Sequence, residues 1–183
     1  MKRAIGLLEL KNITRGILSA DAMLKAANVD MVMAQPLCPG KYVVMVAGDV
    51  GAVQSAIRSG KAVGGEENVV DEFVLPNPHD SLIGAVSGCS DVHEIHALGV
   101  IETYSVASAV VAADAAAKAA NIALIDVRLA RGMGGKAVVT LTGDVGAVNS
   151  AVRAGAHAIE HGGFLVDQLV LPAPHKNLHE ALF

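Results

Sequence analysis

The sequence predicts two tandem copies of one small α/β domain. Four motifs occur twice in the same order, and the spacing between equivalent residues grows from 93, between Asp21 and Asp114, to 96, between His79 and His175. A recurring internal period marks a duplicated structural unit. The drift in spacing indicates a few extra loop residues in the second copy. Each copy has about 90 residues, which is enough to bury a core of its own.

The four motif pairs also predict that both copies fold through the same elements. The pairs are residues 4–9 with 97–102, 20–28 with 113–121, 48–53 with 143–148, and 75–79 with 171–175. Because the pairs are collinear, the order strand, helix, strand, strand, helix, strand that is visible in the first copy should return in the second.

The first four elements follow from periodicity. Residues 4–10 form an apolar run with one acid, which is typical of a buried strand. Residues 13–27 carry apolar side chains at helical spacing, so one face of a helix is apolar, and Asn28 is a reasonable stop signal. Residues 29–35 and 41–47 are predicted as strands, the latter because it is rich in β-branched and aromatic side chains.

The last two elements of the copy are recognised by the residues that bound them. Asp49 is placed to cap a helix over residues 50–59, since its side chain can accept from first-turn amides. Gly60 suits the position after the end of that helix. Residues 69–75 are predicted as the fourth strand, which the two following prolines end.

Composition and charge exclude several classes of function. The chain is 52% hydrophobic but only 3% aromatic, so it offers few platforms for stacking on single-stranded nucleic acid. Its net charge of −4 argues against a broad phosphate-binding surface. No segment reaches the roughly 18 apolar residues of a membrane span, and Glu9 and Lys11 interrupt any signal-peptide core. We expect no nucleic-acid partner and no membrane association.

The two copies are predicted to form domains over residues 1–92 and 93–183, joined by a polar connector. Two histidines of this connector, His93 and His96, could approach each other as metal ligands, but a solvated linker is the more ordinary interpretation. The two cysteines, Cys38 and Cys89, lie at non-equivalent positions. They therefore predict no disulfide framework and a reducing cytoplasm.

The repeated motifs resemble the signature of bacterial microcompartment shell domains. The matching residues are Gly6 with Glu9, Asp21-Ala22-x-x-Lys25-Ala26-Ala27-Asn28, Gly48-Asp49-Val50-Gly51-Ala52-Val53 and Pro76-x-Pro78-His79, and both copies carry them. The chain therefore resembles the tandem-domain shell proteins. Its order of motifs is similar to their unpermuted topology, because each copy opens with the first-strand motif.

This resemblance implies a ferredoxin-like α+β domain and a particular assembly. Three tandem chains would close into a flat homotrimer that mimics a hexamer, and such tiles pack edge to edge with other shell proteins around an organelle in the cytoplasm. Lys25, Asn28, Lys118 and Asn121 match the motif at the tile edges. A closed ring of three two-domain chains also satisfies cyclic symmetry. The alternative is a two-domain protein that does not assemble.

The resemblance further implies that the loop between the second and third strands of each copy lines a central pore. The first loop is Pro-Leu-Cys-Pro-Gly and the second is Ala-Arg-Gly-Met-Gly-Gly. The predicted pore-lining residues are Leu37, Cys38, Pro39, Gly40, Gly132, Met133 and Gly134. Arg131 in the second loop would bias such a pore toward anions.

Cys38 is the candidate metal ligand. If its loop faces the axis, a trimer gathers three thiols there, and thiolates are the usual ligands of iron–sulfur clusters. The Leu-Cys-Pro-Gly loop is similar to that of the iron–sulfur type of tandem shell protein from propanediol-utilising microcompartments. This implies one [4Fe–4S] cluster per trimer on the threefold axis, held by Cys38, with the Gly40 amide available to a cluster sulfur. A trimeric zinc site is the chemical competitor.

Three functions remain open on the sequence. The first is a structural tile whose cluster transfers electrons, or passes across the shell, in contact with a redox partner or an encapsulated enzyme. The second is a pore for small metabolites that Cys38 merely lines, and the third is a soluble trimeric regulator that binds a metabolite. An enzyme is the least expected class, because no Ser–His–Asp grouping or carboxylate pair stands out in the sequence, and Glu9 and Glu102 suit buried hydrogen bonding better than acid–base chemistry.

Overall fold

The computed structural model describes residues 4–92, 94–130 and 132–178, which form two compact units. The first unit comprises Met1–Pro78, Ser105–Ala107 and Ala130–Gly135, and the second comprises His79–Tyr104, Ser108–Leu129 and Lys136–Phe183. Two short segments from later in the chain therefore belong to the first unit. The domain boundary between residues 92 and 93 stays a prediction.

The first unit is a four-stranded antiparallel sheet with two helices. Its elements are β1 (Ala4–Leu10), α1 (Ile13–Ala26), β2 (Asp30–Leu37), β3 (Lys41–Gly48), α2 (Val50–Gly64) and β4 (Val69–Pro76). The strand order is β2-β3-β1-β4, so β1 is central. In this register Glu9 lies opposite Val43 on one side and Asp71 on the other.

The second unit repeats the arrangement. Its elements are α3 (Asp80–Val86), β5 (Ala97–Thr103), α4 (Val106–Ala119), β6 (Ile122–Leu129), β7 (Ala137–Gly143), α5 (Val145–Ala158) and β8 (Leu165–Leu171), with the first two residues of α4 belonging to the first unit. The strand order is β6-β7-β5-β8, and Glu102 lies opposite Val138 and Asp167. The predicted α+β class and the order of elements in both copies are confirmed.

The core of the first unit lies between the sheet and its two helices. It is built from aliphatic side chains of β1, β3, α1 and α2 together with one methionine and one tyrosine: Ala4, Leu8, Leu10, Ala20, Met23, Tyr42, Val44, Val46, Val53, Ala56 and Ile57. Small residues where α1 and α2 face each other let the two helices approach closely. A sequence with few aromatic residues suits this kind of packing. Among the described residues, none of the helices is long and apolar enough to cross a bilayer.

Helix α2 is longer than predicted, and the prediction that Gly60 follows its end is wrong. The helix continues to Gly64, and Gly65 with φ +88° follows it, its amide donating to the Lys61 carbonyl. Gly60 is instead a packing glycine, since a Cβ there would lie 2.5 Å from Cγ of Met23. Asp49 does precede the helix, but its side chain makes no capping hydrogen bond to the first turn.

Replacing Gly60 by valine is expected to lower the free energy of unfolding by about 1–3 kcal/mol, because the added atoms overpack the contact with Met23. Gly51→Ala is the matched control, since it lies in the same helix with nothing within 4 Å of an added Cβ. That change should leave stability unchanged or raise it by up to about 1 kcal/mol. Urea unfolding followed by circular dichroism measures both, and equal effects would contradict the packing explanation.

Candidate pore loops and helix-capping glutamate

The turn between β2 and β3 presents a cysteine to solvent. Leu37 at the end of β2 pairs with Lys41 at the start of β3, and three residues connect them. The Gly40 amide donates to the Leu37 carbonyl over 2.9 Å, and Gly40 has φ +89°, which favours glycine. Cys38 is exposed and its thiol is free. Because the Gly40 amide is used inside the turn, the expectation that it is available to a cluster sulfur is wrong.

The segment Ala130–Gly135 lies against this turn within the first unit. The Cys38 amide donates to the Ala130 carbonyl over 3.1 Å, and Nζ of Lys41 donates to the Gly135 carbonyl over 3.2 Å. A Cβ on Gly135 would lie 3.0 Å from Cδ of Pro39. The two predicted pore loops are therefore neighbours, although more than 90 residues separate Cys38 from Ala130 in sequence.

The predicted pore-lining residues are not equally exposed. Leu37 is only 4% exposed, so its side chain packs inside the unit and is not presented at the surface of the turn. Met133 is half-buried, and the remaining residues of the set are exposed: Cys38, Pro39, Gly40, Gly132 and Gly134. Arg131 lies outside the described residues. The assignment of the exposed residues to a pore stays a prediction.

The described part of one chain supplies too few ligands for a metal centre. Within residues 4–92, 94–130 and 132–178, no group of three or more His, Cys, Asp or Glu side chains could hold a metal ion. His93 of the connector lies outside the described residues, so a site there has no described support. A cluster at Cys38 therefore needs the same thiol from further copies of the chain, and the exposed, unpaired state of Cys38 fits that requirement.

Glu9 is fully buried and bridges a lysine and a helix N-terminus. Its Oε1 forms an ion pair with Lys41. Its Oε2 accepts hydrogen bonds from the amides of Val106 and Ala107, over 2.8 and 3.3 Å, and from Oγ of Ser105, over 3.2 Å. The first amides of a helix have no partner inside the helix and carry partial positive charge. Glu9 thus caps α4 within the first unit, a role that its own local sequence did not reveal.

Glu102 occupies the equivalent position in the second unit but has a different environment. It pairs with Lys136 over 2.6 Å, and this hydrogen bond raises the pKa of Lys136. The two side chains are 30% and 40% exposed, against 0% for Glu9 and 14% for Lys41. In the described part of the chain, no helix N-terminus donates to Glu102. The prediction of buried hydrogen bonding therefore holds for Glu9 and not for Glu102.

The predicted tile-edge residues all lie at the surface. Lys25 pairs with Asp21 over 2.7 Å on α1, and Lys118 pairs with Asp114 over 2.6 Å on α4. Asp114 is almost completely buried, whereas Asp21 is 57% exposed. Asn28 and Asn121 follow the two helices and are exposed. The structure leaves these residues accessible, and their role at an edge stays a prediction.

Comparisons with known proteins agree with the duplicated fold. The family model described as "BMC domain" matches residues 4–78 and again residues 97–174. Bacterial microcompartment shell protein PduT of Citrobacter freundii is 45% identical over 178 residues, which cover 97% of this chain and 96% of that protein. Bacterial microcompartment shell protein PduA of Citrobacter freundii is 42% identical over 81 residues, 43% of this chain and 85% of that protein.

Solved structures give the same result. The crystal structure of a microcompartment protein from Desulfitobacterium hafniense DCB has a TM-score of 0.88 and 49% sequence identity, over 98% of this chain and 99% of that chain. The match thus extends over both units, as does the match to PduT. Since the family model also covers most of the sequence in two collinear blocks, the chain belongs to the BMC domain family, with two such domains in tandem.

Proposed function

We propose that this protein is a structural tile of a bacterial microcompartment shell, and that three copies close into a ring whose axis carries a [4Fe–4S] cluster held by Cys38. The observation that carries the proposal is the geometry of the β2–β3 turn. It presents one free, exposed thiol per chain, and it packs against the corresponding loop of the other repeat.

The shell role is supported by family membership. Both copies match the BMC domain, and the relatives of this chain are named as microcompartment shell proteins over nearly the full length or over one copy. These relatives are structural, which agrees with a protein that is not an enzyme. As a tile, the protein would contact other shell proteins laterally, through edges that include Lys25, Asn28, Lys118 and Asn121.

The duplication supports a trimer. Each chain holds two equivalent domains, so three chains supply six positions around an axis with threefold symmetry. The two strand-connecting loops lie side by side in the first unit, and repetition around such an axis would alternate the Cys38 turn with the Ala130–Gly135 segment. Three Cys38 thiols would then face one another at the centre.

The iron–sulfur cluster is the more specific part of the proposal. Three Cys38 thiolates would hold three of the four irons, leaving the fourth to a ligand that is not a cysteine of this chain. When bound, such a cluster supplies one-electron transfer between the two sides of the shell. Because Cys38 lies in a short turn fixed by its own amide and by that of Gly40, the thiol is placed without a flexible loop. Zinc would use the same thiolates but is redox-inactive.

The assembly half of this proposal is tested by sedimentation and electron microscopy of the purified chain. We expect a species of three times the 18.7 kDa chain mass, which forms flat sheets at high protein concentration. Sheets distinguish a tile from a soluble regulatory ring, which would remain as isolated trimers. A monomer at micromolar concentration would overturn the ring and, with it, the gathering of the thiols.

A further inference from the structure

We propose that Glu102 and Lys136 are the receiving half of a head-to-tail contact, and that they bind the N-terminus of helix α1 of a second copy of this chain. The contact rests on the proposed ring and specifies which surfaces of consecutive copies meet. In the first unit the equivalent pair, Glu9 and Lys41, already binds the N-terminus of the equivalent helix, α4, and this identifies the occupant.

The equivalent contact in the first unit is defined atom by atom. Oε1 of Glu9 pairs with Lys41, and Oε2 accepts from the amides of Val106 and Ala107 at the start of α4. Oγ of Ser105, which precedes α4, lies within hydrogen-bond distance of both the Glu9 and the Asp71 carboxylates. One carboxylate therefore neutralises a lysine and satisfies the unpaired amides of a helix.

The second unit has the same acceptors in the same register. Glu102 lies opposite Asp167 as Glu9 lies opposite Asp71. Lys136 pairs with Glu102 as Lys41 pairs with Glu9. Even the local backbone agrees, because the amide that follows each aspartate donates to it over 2.8 Å in both units. The receiving half is built, and the described residues provide no helix to fill it.

Helix α1 has the unfilled donors. Asn12 accepts from the Arg15 amide through its side chain and from the Gly16 amide through its carbonyl. The amides of Ile13 and Thr14 precede these and have no partner inside the helix. They are the equivalents of Val106 and Ala107, the two amides that Glu9 accepts. Asn12 is the equivalent of Ser105.

The equivalent faces of α1 and α4 differ in burial. On α1, Ile13 is 40% exposed and Ile17 is 56% exposed. Their equivalents on α4, Val106 and Val110, are both 0% exposed. Helix α1 thus has an exposed apolar face beside two amides without a partner in the helix, and the second unit has a partly exposed carboxylate paired with a lysine. Each chain therefore carries one donating half and one receiving half of the contact. Such a contact is heterologous, so it closes into a ring when the rotation permits.

Two single substitutions test the two halves separately. Glu102→Arg places a cation against the helix N-terminus, and Glu160→Arg is the control because Glu160 is an exposed acid elsewhere in the second unit. Ile13→Glu places a carboxylate against Glu102 of the next copy. Val145→Glu is its control, since Val145 is also a first helical residue and is 42% exposed. An acid in the first turn is favourable for the isolated helix.

We expect Glu102→Arg and Ile13→Glu each to raise the dissociation constant between copies at least about a hundredfold, because each leaves a desolvated charge unpaired. Both variants should sediment as folded monomers with unchanged circular dichroism spectra, while both controls remain trimers. Mixing the two variants should restore association as heterodimers, because Glu102 of the Ile13→Glu copy then meets the unaltered α1 of the Glu102→Arg copy. A closed ring of three would still place two copies of one variant side by side.

The outcomes separate this contact from the ring itself. If the parent protein and the Ile13→Glu variant are both trimers, the contact is wrong and the ring survives. If the mixture of the two variants stays monomeric, the head-to-tail pairing is wrong. If the parent protein is a monomer, the proposed ring fails and takes the contact with it. Should Glu102→Arg fail to fold, Ile13→Glu and its control decide alone.

Discussion

Replacing Glu9 by glutamine is expected to lower the free energy of unfolding by about 3–5 kcal/mol, because it removes one partner of a buried ion pair. Glutamine has nearly the same shape, so the effect reports the charge and not a cavity. Glutamine keeps one acceptor oxygen where the carboxylate has two, so Lys41 or the first amides of α4 lose their acceptor, and both lose an anionic partner.

Urea unfolding at one fixed protein concentration measures this loss, since association also contributes to stability. Glu66→Gln is the matched control, because Glu66 is an exposed acid of the same unit and should change stability by less than about 0.5 kcal/mol. A loss below about 1 kcal/mol for Glu9→Gln would mean that neither the lysine nor the helix depends on this carboxylate.

Replacing Cys38 by serine is expected to abolish iron binding while leaving the assembly intact. Cys38 is exposed at a turn and contributes no core packing, so the fold and the contacts between copies should survive. Cysteine thiolates are the ligands that hold these clusters, and a neutral serine hydroxyl is a much weaker ligand for iron. The measurement is iron content together with sedimentation, after anaerobic purification of the variant.

Cys89→Ser is the matched control for that change. Both cysteines are free and exposed, so general thiol reactivity is equal in kind at the two positions. The Cys89→Ser protein should keep its iron. If both variants bind as much iron as the parent, the metal is not held by Cys38, and if both lose it, the binding is not specific to the turn.

The elements of the fold could be predicted from the sequence because duplication doubled every signal. Each strand or helix boundary in the first copy had a second example against which to compare it. Gly60 shows the limit of local rules. A glycine near the end of an apolar helical pattern indicates a stop, but here it admits Met23 of the neighbouring helix, a contact that only the packed unit reveals.

The candidate site was predictable only in part, for a similar reason. The sequence could single out Cys38, because it lacks a counterpart in the second copy. It could not distinguish Glu9 from Glu102, since both stand in the same motif and differ only in what lies against them. Nor could it reveal that Leu37 is buried beneath the turn or that Gly135 lies beside Pro39. These are properties of contacts between distant segments.

The central claim is that three chains bring their Cys38 thiols around one cluster, and its most direct test is the ratio of iron and acid-labile sulfide to protein in the anaerobically purified, reconstituted trimer. We predict roughly four irons and four sulfides for every three chains, with an electron paramagnetic resonance signal of a reduced [4Fe–4S] centre that Cys38→Ser lacks. A trimer that stays free of iron after reconstitution, or that holds zinc without sulfide, would contradict the account.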